Sequence, residues 1–420
     1  MSYRRTILTN TAALYALQVA NYIFPLIVMP YLLRAIGVAA FGEIAFTGSV
    51  VLIFGAIIEF SFNYTATARI ASRADDISAV SAVYSVVMAT KIALMIGCTA
   101  ILALLTATVP ALREAWPLVF VQWPLLLGEV LFPSWLFQGV QKMTFVTVFH
   151  VISRVATLLL LFVFVHTPDD AVFAASIQAS HYVIAGIAAQ ATARWMLGVR
   201  FQWPQRESYE LVRDSARVFV SNVAAQVYVR SPMALVGLLA SAPFVGAFAV
   251  AQKIASLFTS LTVPVTQSLY PHLCAVAERQ PQLLARLRNK SVLGMALALS
   301  ISVVCLNLCG DWVVALLSGE IDRSVTNMIL LFSPVIVVTA INMMLTSFVL
   351  ALRRFDEFKR ITLAAAAVFL VLAFPLTFWF DAYGMIVTTL VVEIVVFACC
   401  LRLTRVPFAA EFVHPSENVP

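Results

Sequence analysis

Along this chain the apolar positions come in long unbroken runs. They do not alternate as in a half-buried strand, and they do not form the one-sided stripe of a soluble helix. Charge-free stretches such as 6–33, 92–112, 171–193, 231–252 and 324–352 reach the roughly 20 residues a helix needs to cross a bilayer's hydrocarbon core. The pattern predicts twelve transmembrane helices, near 8–33, 40–66, 78–106, 114–137, 143–166, 171–195, 214–238, 243–270, 289–315, 325–351, 360–380 and 383–402. A transmembrane barrel is excluded, because its strands would alternate apolar and polar positions. The first span follows Arg4 and Arg5, as a signal peptide would, but its apolar run is too long for an h-region. No small-x-small cleavage site follows, so it is read as a retained helix.

Composition agrees. Of 420 residues 62% are hydrophobic and 11% charged, against about 45–50% and 25% in a soluble domain. A soluble enzyme and a disordered chain are both excluded, leaving an all-α integral membrane protein. The net charge of +6 does not point to nucleic acid, because the basic residues sit in short clusters between apolar runs. With the N-terminus inside, 20 of the 27 Lys and Arg fall on the cytoplasmic side and 3 (Arg34, Arg113, Arg323) on the other. The positive-inside rule then places both termini in the cytoplasm. The six cysteines lie in or beside apolar stretches without a CxxC spacing, and are read as reduced side chains.

A polar loop at 198–213 separates an N-terminal six-helix lobe, 1–197, from a C-terminal six-helix lobe, 214–405, with a cytoplasmic tail at 406–420. Six is even, so both lobes enter the membrane in the same sense, which permits a parallel repeat. Its trace is faint: Phe41-Gly42 to Phe54 aligns without gaps to Val245-Gly246 to Phe258. The chain has no P-loop, nucleophile motif or metal-ligand cluster, its outward loops are short, and its five histidines are scattered. No enzymatic activity, metal or cofactor is expected. Prolines inside spans kink helices. They are either static shaping or hinges, and Pro25 and Pro30 make the first helix the hinge candidate.

Charges inside the spans carry the functional signal, since each costs at least about 2.5–3.5 kcal/mol at mid-bilayer. Lys91, Arg154 and Arg230 fall near the midplane, with Lys253 somewhat toward the outer side. Glu129 and Glu393 are central, and Glu59 lies toward the cytoplasm. Internal ion pairing is one reading, and it suits the carboxylates, each of which could pair with a basic neighbour. For the cations an anionic ligand is the other reading, because guanidinium grips phosphate in a bidentate fork and ammonium binds it as a point charge.

Several stretches make the chain similar to the polysaccharide transporter family, the O-antigen flippases. That family shares a superfamily with the multidrug-and-toxin extrusion transporters and the lipid II flippases. The stretches are Leu32-Leu33-Arg34-Ala35-Ile36-Gly37, Phe41-Gly42-Glu43-Ile44-Ala45-Phe46, Glu59-Phe60-Ser61-Phe62-Asn63-Tyr64-Thr65-Ala66-Thr67-Ala68-Arg69, Phe132-Pro133-Ser134-Trp135-Leu136-Phe137-Gln138-Gly139 with Lys142-Met143, and Ala251-Gln252-Lys253-Ile254 with Pro264 and Tyr270-Pro271. The family usually has an Asp-Tyr-Gly-Phe-type run where this chain has Glu59-Phe60-Ser61-Phe62.

The resemblance implies two lobes around a central cavity, in the bacterial inner membrane. It implies transport of an undecaprenyl-pyrophosphate-linked oligosaccharide, with possible association with a polysaccharide polymerase and a chain-length regulator. Arg34 and Arg69 match family motifs near the two membrane faces. With Lys91, Arg154, Arg230 and Lys253 they are the ligand-contact candidates, although both could be loop anchors. Glu59, Glu129 and Glu393 are the ion-coupling candidates. Trp123 and Trp135 could stack on sugars or simply pack. The alternatives are an ion-coupled multidrug-type antiporter of the same fold, a membrane enzyme handling the same lipid, and a scaffold without transport. The net-basic spans and short outward loops count against all three.

Overall fold

The computed structural model describes residues 3–203, 209–279 and 281–405, excluding the side chains of 3–16, 220–225, 227, 242, 278, 279, 281, 282 and 405. The expected tail at 406–420 and the middle of the polar loop, 204–208, lie outside the described residues. In chain order the helices are α1 (Tyr3–Glu59), α2 (Phe62–Ala71), α3 (Ile77–Thr108), α4 (Pro110–Glu114), α5 (Trp116–Gln122), α6 (Pro124–Leu131), α7 (Ser134–Gly139), α8 (Met143–Phe164), α9 (Ala171–Trp195), α10 (Glu210–Leu239), α11 (Ala242–Ser260), α12 (Val263–Arg279), α13 (Pro281–Leu308), α14 (Gly310–Ser318), α15 (Arg323–Ala351) and α16 (Phe355–Arg405). Among the described residues there is no strand. This follows from the solvent: in lipid each backbone N–H and C=O must find a partner within its own segment, and a helix provides it.

Nine helical segments among the described residues are long and apolar enough to cross a membrane. Large side chains such as Leu104, Val371, Phe374 and Phe378 stand exposed on them, as lipid-facing positions do. The two longest segments, of 55 and 50 residues, are each interrupted by a residue with positive φ. Gly37 (φ 84°, ψ 167°) breaks α1, and Asp381 (φ 58°, ψ −148°) breaks α16. Both fall in loops expected between spans, at 34–39 and 381–382.

Four expected spans differ: 243–270 is divided at Leu261-Thr262 between α11 and α12, 289–315 is divided at Cys309 between α13 and α14, and the second and fourth are also interrupted. The second, 40–66, is not continuous: α1 stops at Glu59, Phe60 and Ser61 adopt φ of 49° and 62°, and α2 begins at Phe62. The Glu59 carboxylate accepts hydrogen bonds from the backbone N–H groups of Ser61 and Asn63, both at 3.1 Å, which satisfies donors the break exposes. The fourth, 114–137, is divided among α4 to α7. Pro117 and Pro124 occupy first-turn positions of α5 and α6, and Pro133 immediately precedes α7. A proline tolerates a first turn because its missing N–H has no partner to lose there.

The chain packs as two compact units. The first comprises residues up to 250 together with 314–322, and the second 251–313 together with residues from 323 on. In the first unit Leu32, Ile36, Ile44, Leu118, Leu161 and Ala174 hold α1, α5, α8 and α9 together, while Phe62, Ile70, Val87, Trp135 and Leu136 seat α2, α3 and α7. Helices gain little hydrophobic drive against each other in lipid, so close packing through small residues matters more. A Cβ at Gly128 would strike Tyr182, and one at Gly186 would strike Leu131, so α6 and α9 meet at backbone distance. Trp135 is buried in this core. Trp123 donates its indole N–H to Thr99 Oγ1 at 3.0 Å.

In the second unit Leu345, Val349, Ile361 and Cys400 form a core between α15 and α16. The last carbonyls of α16 receive arginine side chains. Arg288, 8% exposed, donates to Thr404 O, and Arg354 Nη1 donates to Leu403 O at 3.0 Å. Positive charge at a helix C-terminus also complements its dipole. All six cysteines are free thiols.

Candidate functional site

Four helices of the first unit converge on Arg154. α8 carries Arg154 and His150, α1 carries Asn21 and Phe24, α9 carries His181 and Tyr182, and α6 carries Glu129. The half-buried Arg154 guanidinium donates through Nη1 to Asn21 Oδ1 and lies 5.7 Å from the Phe24 ring centroid, a cation–π contact. The His181 ring is held by its Nδ1 at 2.6 Å from Gln178 O. His150 stands against Phe132 with ring centroids 4.4 Å apart. Tyr182 can reach this group because Gly128 leaves room for it beside Glu129. Tyr182 senses the charges of Glu129, Arg154 and Arg230. Glu129 senses those of Lys91, Glu59 and Arg230. Glu129, Arg154 and Arg230 thus each lie within electrostatic reach of Tyr182, and His150 and His181 lie within reach of Arg154.

Lys91 is not an available cation. It is 1% exposed, donates to Glu129 O at 2.9 Å and pairs with Glu129 Oε1 at 3.4 Å. With its Lys91 side buried and its Glu129 side half-buried, the pair fixes geometry, and losing Glu129 would strand the buried ammonium. Arg230 is exposed, with Nε donating to Gln226 Oε1 at 2.6 Å. Arg154 and Arg230 are therefore the candidate cations near Tyr182 that no carboxylate pairs among the described residues.

The other candidates lie elsewhere. Arg34 donates through Nη2 to Leu316 O at 2.5 Å, in the last turn of α14. Arg69 pairs with Glu210 at 3.6 Å. Pro25 and Pro30 lie inside the unbroken part of α1 between Asn21 and Gly37, and the helix is interrupted at Gly37. Lys253 is exposed on α11 in the second unit. There Glu393 of α16 accepts from Asn342 Nδ2 of α15 at 2.6 Å, and the same amide donates to Glu393 O at 2.8 Å. The expectation that each carboxylate pairs with a base thus holds for Glu129. Glu59 instead takes backbone donors at the start of α2, and Glu393 takes an amide.

Sequence reasoning did not single out Asn21, Tyr182 or Asn342, and it set His150 and His181 aside as scattered. Asn21, a polar residue four positions before Pro25 in an apolar run, was the available signal. Nothing in the sequence marked Tyr182, whose place depends on the α6–α9 approach.

An all-helical membrane domain with cations and a carboxylate enclosed among its spans has the fold of a membrane transporter. Solved structures agree. An inward-facing multidrug resistance transporter of the MATE family superposes with a TM-score of 0.67 at 16% identity, over 92% of this chain and 94% of that one. The lipid II flippase MurJ, in an inward closed conformation, gives 0.66 at 11% identity over 94% and 87%. The family described as "Polysaccharide biosynthesis protein" matches residues 7–277, and the chain belongs to it. A relative from Escherichia coli (strain K12), named "Putative O-antigen transporter", is 29% identical over 414 residues, covering 94% of this chain and 96% of its own. One of the same name from Shigella dysenteriae is 25% identical over 409 residues, covering 94% and 99%. The expectation of a protein that is not an enzyme agrees with relatives named as transporters.

Proposed function

We propose that this protein is a flippase that carries an undecaprenyl-pyrophosphate-linked oligosaccharide from the cytoplasmic to the outer leaflet of the bacterial inner membrane. The observation that carries the reading is the half-buried Arg154 guanidinium, held by Asn21 and the Phe24 ring among the spans, in a chain of the polysaccharide biosynthesis family. A pyrophosphate needs cations held away from bulk water, where their attraction is least screened. The names of the relatives and the fold shared with a lipid II flippase support the same reading.

On this proposal twelve spans form two six-helix lobes, with the boundary at 198–213 and both termini cytoplasmic. The lipid tail stays in the bilayer while the headgroup crosses by alternating access. Arg69 and Arg34 stand near its entry and exit, and Pro25 and Pro30 make the first helix the hinge. Lys253 would supply a further cation. Glu59, Glu129 and Glu393 are the carboxylates available for ion coupling, and no cofactor is required. A polymerase and a chain-length regulator of the same pathway are the proposed partners.

The test is reconstitution of the purified protein in liposomes, with the lipid-linked oligosaccharide in one leaflet and its arrival in the other followed over time. An organic-cation efflux assay runs beside it. Lipid movement without cation efflux, reduced in both Arg154→Ala and Arg230→Ala, supports the flippase. Cation efflux without lipid movement identifies an antiporter of the same fold instead.

A further inference from the structure

At one membrane face of the first unit, where α2 ends and α3 begins, lies a cavity of about 180 Å³. Arg69 and Arg73 stand at it, and Ile70, Val80, Val83 and Leu211 are among its walls. Its depth in the membrane follows from the chain itself. One candidate span finishes at Ala71 and the next starts at Ile77, so a cavity bounded by 69–73 and 79–83 sits at headgroup level. Arg69 lies in the last turn of α2 and Arg73 in the turn that follows it, and both line this one cavity, where like charges repel. Of the two, Arg69 has an ion pair, at 3.6 Å with a Glu210 side chain that is 76% exposed. Among the described residues no carboxylate lies within ion-pair distance of Arg73. The C-terminal dipole of α2 favours positive charge there, but it does not call for an open cavity with apolar walls.

We propose that this cavity binds the phosphate group of an anionic lipid headgroup. Arg69 and Arg73 offer two planar forks to the phosphate oxygens. Bound phosphate replaces the repulsion between them with attraction, and displaces only a solvent-exposed carboxylate. Ile70, Val80 and Val83 provide an apolar wall for the glycerol and upper acyl chain. Basic pockets between transmembrane helices on the cytoplasmic side recognise lipid headgroups by this chemistry, and the distribution of basic residues assigns this face to the cytoplasm. The site is separate from Arg154 and Arg230 and needs no transport to operate.

The full-length protein is placed in nanodiscs of equal phosphatidylglycerol and phosphatidylcholine, released, and weighed by native mass spectrometry. The wild type should retain phosphatidylglycerol in preference to phosphatidylcholine. Arg69→Gln/Arg73→Gln should lose at least about tenfold of that adduct, whereas Arg200→Gln, a basic residue outside the cavity, should keep it. Arg73→Gln alone, at an exposed position that leaves the Arg69–Glu210 pair in place, should show a partial loss. Equal retention of the two lipids by the wild type, or full retention by either cavity variant, overturns the proposal. In a further arm the wild type meets millimolar inorganic phosphate. Phosphate adducts without lipid adducts would mean that the arginines hold a soluble anion, and would overturn the lipid assignment. No step of this experiment involves flipping, so its failure leaves the transport reading standing, and the reverse also holds.

Discussion

Gly42 of α1 and Gly246 of α11 meet backbone against backbone: a Cβ on Gly42 would fall on the Gly246 main chain, and one on Gly246 would press on the Val38 carbonyl. The same two glycines are the aligned pair in the ungapped match between 41–54 and 245–258. One helical turn on, Phe46 fills the space that a side chain at Gly237 would need.

Gly42→Val should therefore lower the unfolding midpoint, since forcing methyl groups into a closed seam costs about 1–3 kcal/mol. Gly55→Ala and Gly97→Ala serve as controls, because a Cβ at either has nothing within 4 Å. Each should hold or raise the midpoint by restricting the unfolded chain, by about 0.4–1 kcal/mol. A Gly42→Val protein that melts with the wild type means the seam is not closed.

Ser61 occupies the left-handed region, φ 62° and ψ 17°, which costs a residue with a Cβ about 1–2 kcal/mol. Glycine, the residue usual in the related family motif, relieves that cost but adds unfolded-state entropy. Ser61→Gly should raise the melting temperature of the detergent-solubilised protein slightly. Phe60→Gly should lower it, because the Phe60 ring packs 4.7 Å from Phe219 and 5.5 Å from Phe62, centroid to centroid. A fall in Ser61→Gly would contradict the backbone geometry at this break.

For Lys91 and Glu129 a double-mutant cycle separates packing from ligand contact. Lys91→Met alone leaves the half-buried Glu129 carboxylate without its cation, at a cost below the ~3–5 kcal/mol of a fully buried pair. Lys91→Met/Glu129→Leu removes both charges and should recover much of the loss. Additive losses in thermal stability would show that the two side chains do not act as a pair.

Glu393 and Asn342 differ in what they give up. Asn342→Leu removes one donor to the Glu393 carboxylate and one to its backbone carbonyl, costing about 0.5–1.5 kcal/mol per hydrogen bond, since Thr339 and the helix still serve those acceptors. Glu393→Gln keeps an acceptor and should fold normally. With Glu393 as the coupling carboxylate, Glu393→Gln abolishes the effect of an imposed proton gradient on flipping in liposomes. Unchanged gradient dependence removes Glu393 from the coupling set.

The membrane class and most span positions were legible because lipid imposes one rule, continuous apolarity, that sequence displays directly. The interruptions at Gly37 and Asp381 fell where loops were expected. The break at 59–61 was not visible, because Phe60, Ser61 and Phe62 belong to an apolar run and a left-handed pair leaves no mark on hydropathy. The partner of each buried charge was also hidden. Lys91 and Glu129 are 38 residues apart, and their meeting depends on how α3 packs on α6. Asn342, reaching Glu393 from 51 residues away, depends likewise on the α15–α16 contact.

Arg288 and Arg354, seated on the final carbonyls of α16, belong to the basic set that the sequence reading assigns to the cytoplasmic side. On the cytoplasmic assignment read from the sequence, each side chain acts twice: first as a topological label read while the protein is threaded into the bilayer, later as a stopper that keeps the finished helix from fraying. Lysine would preserve the label but, with a single ammonium group, would lose the planar fork of the stopper. Arg-to-Lys exchange at these two positions therefore separates errors of insertion from errors of folding, which charge removal would confound.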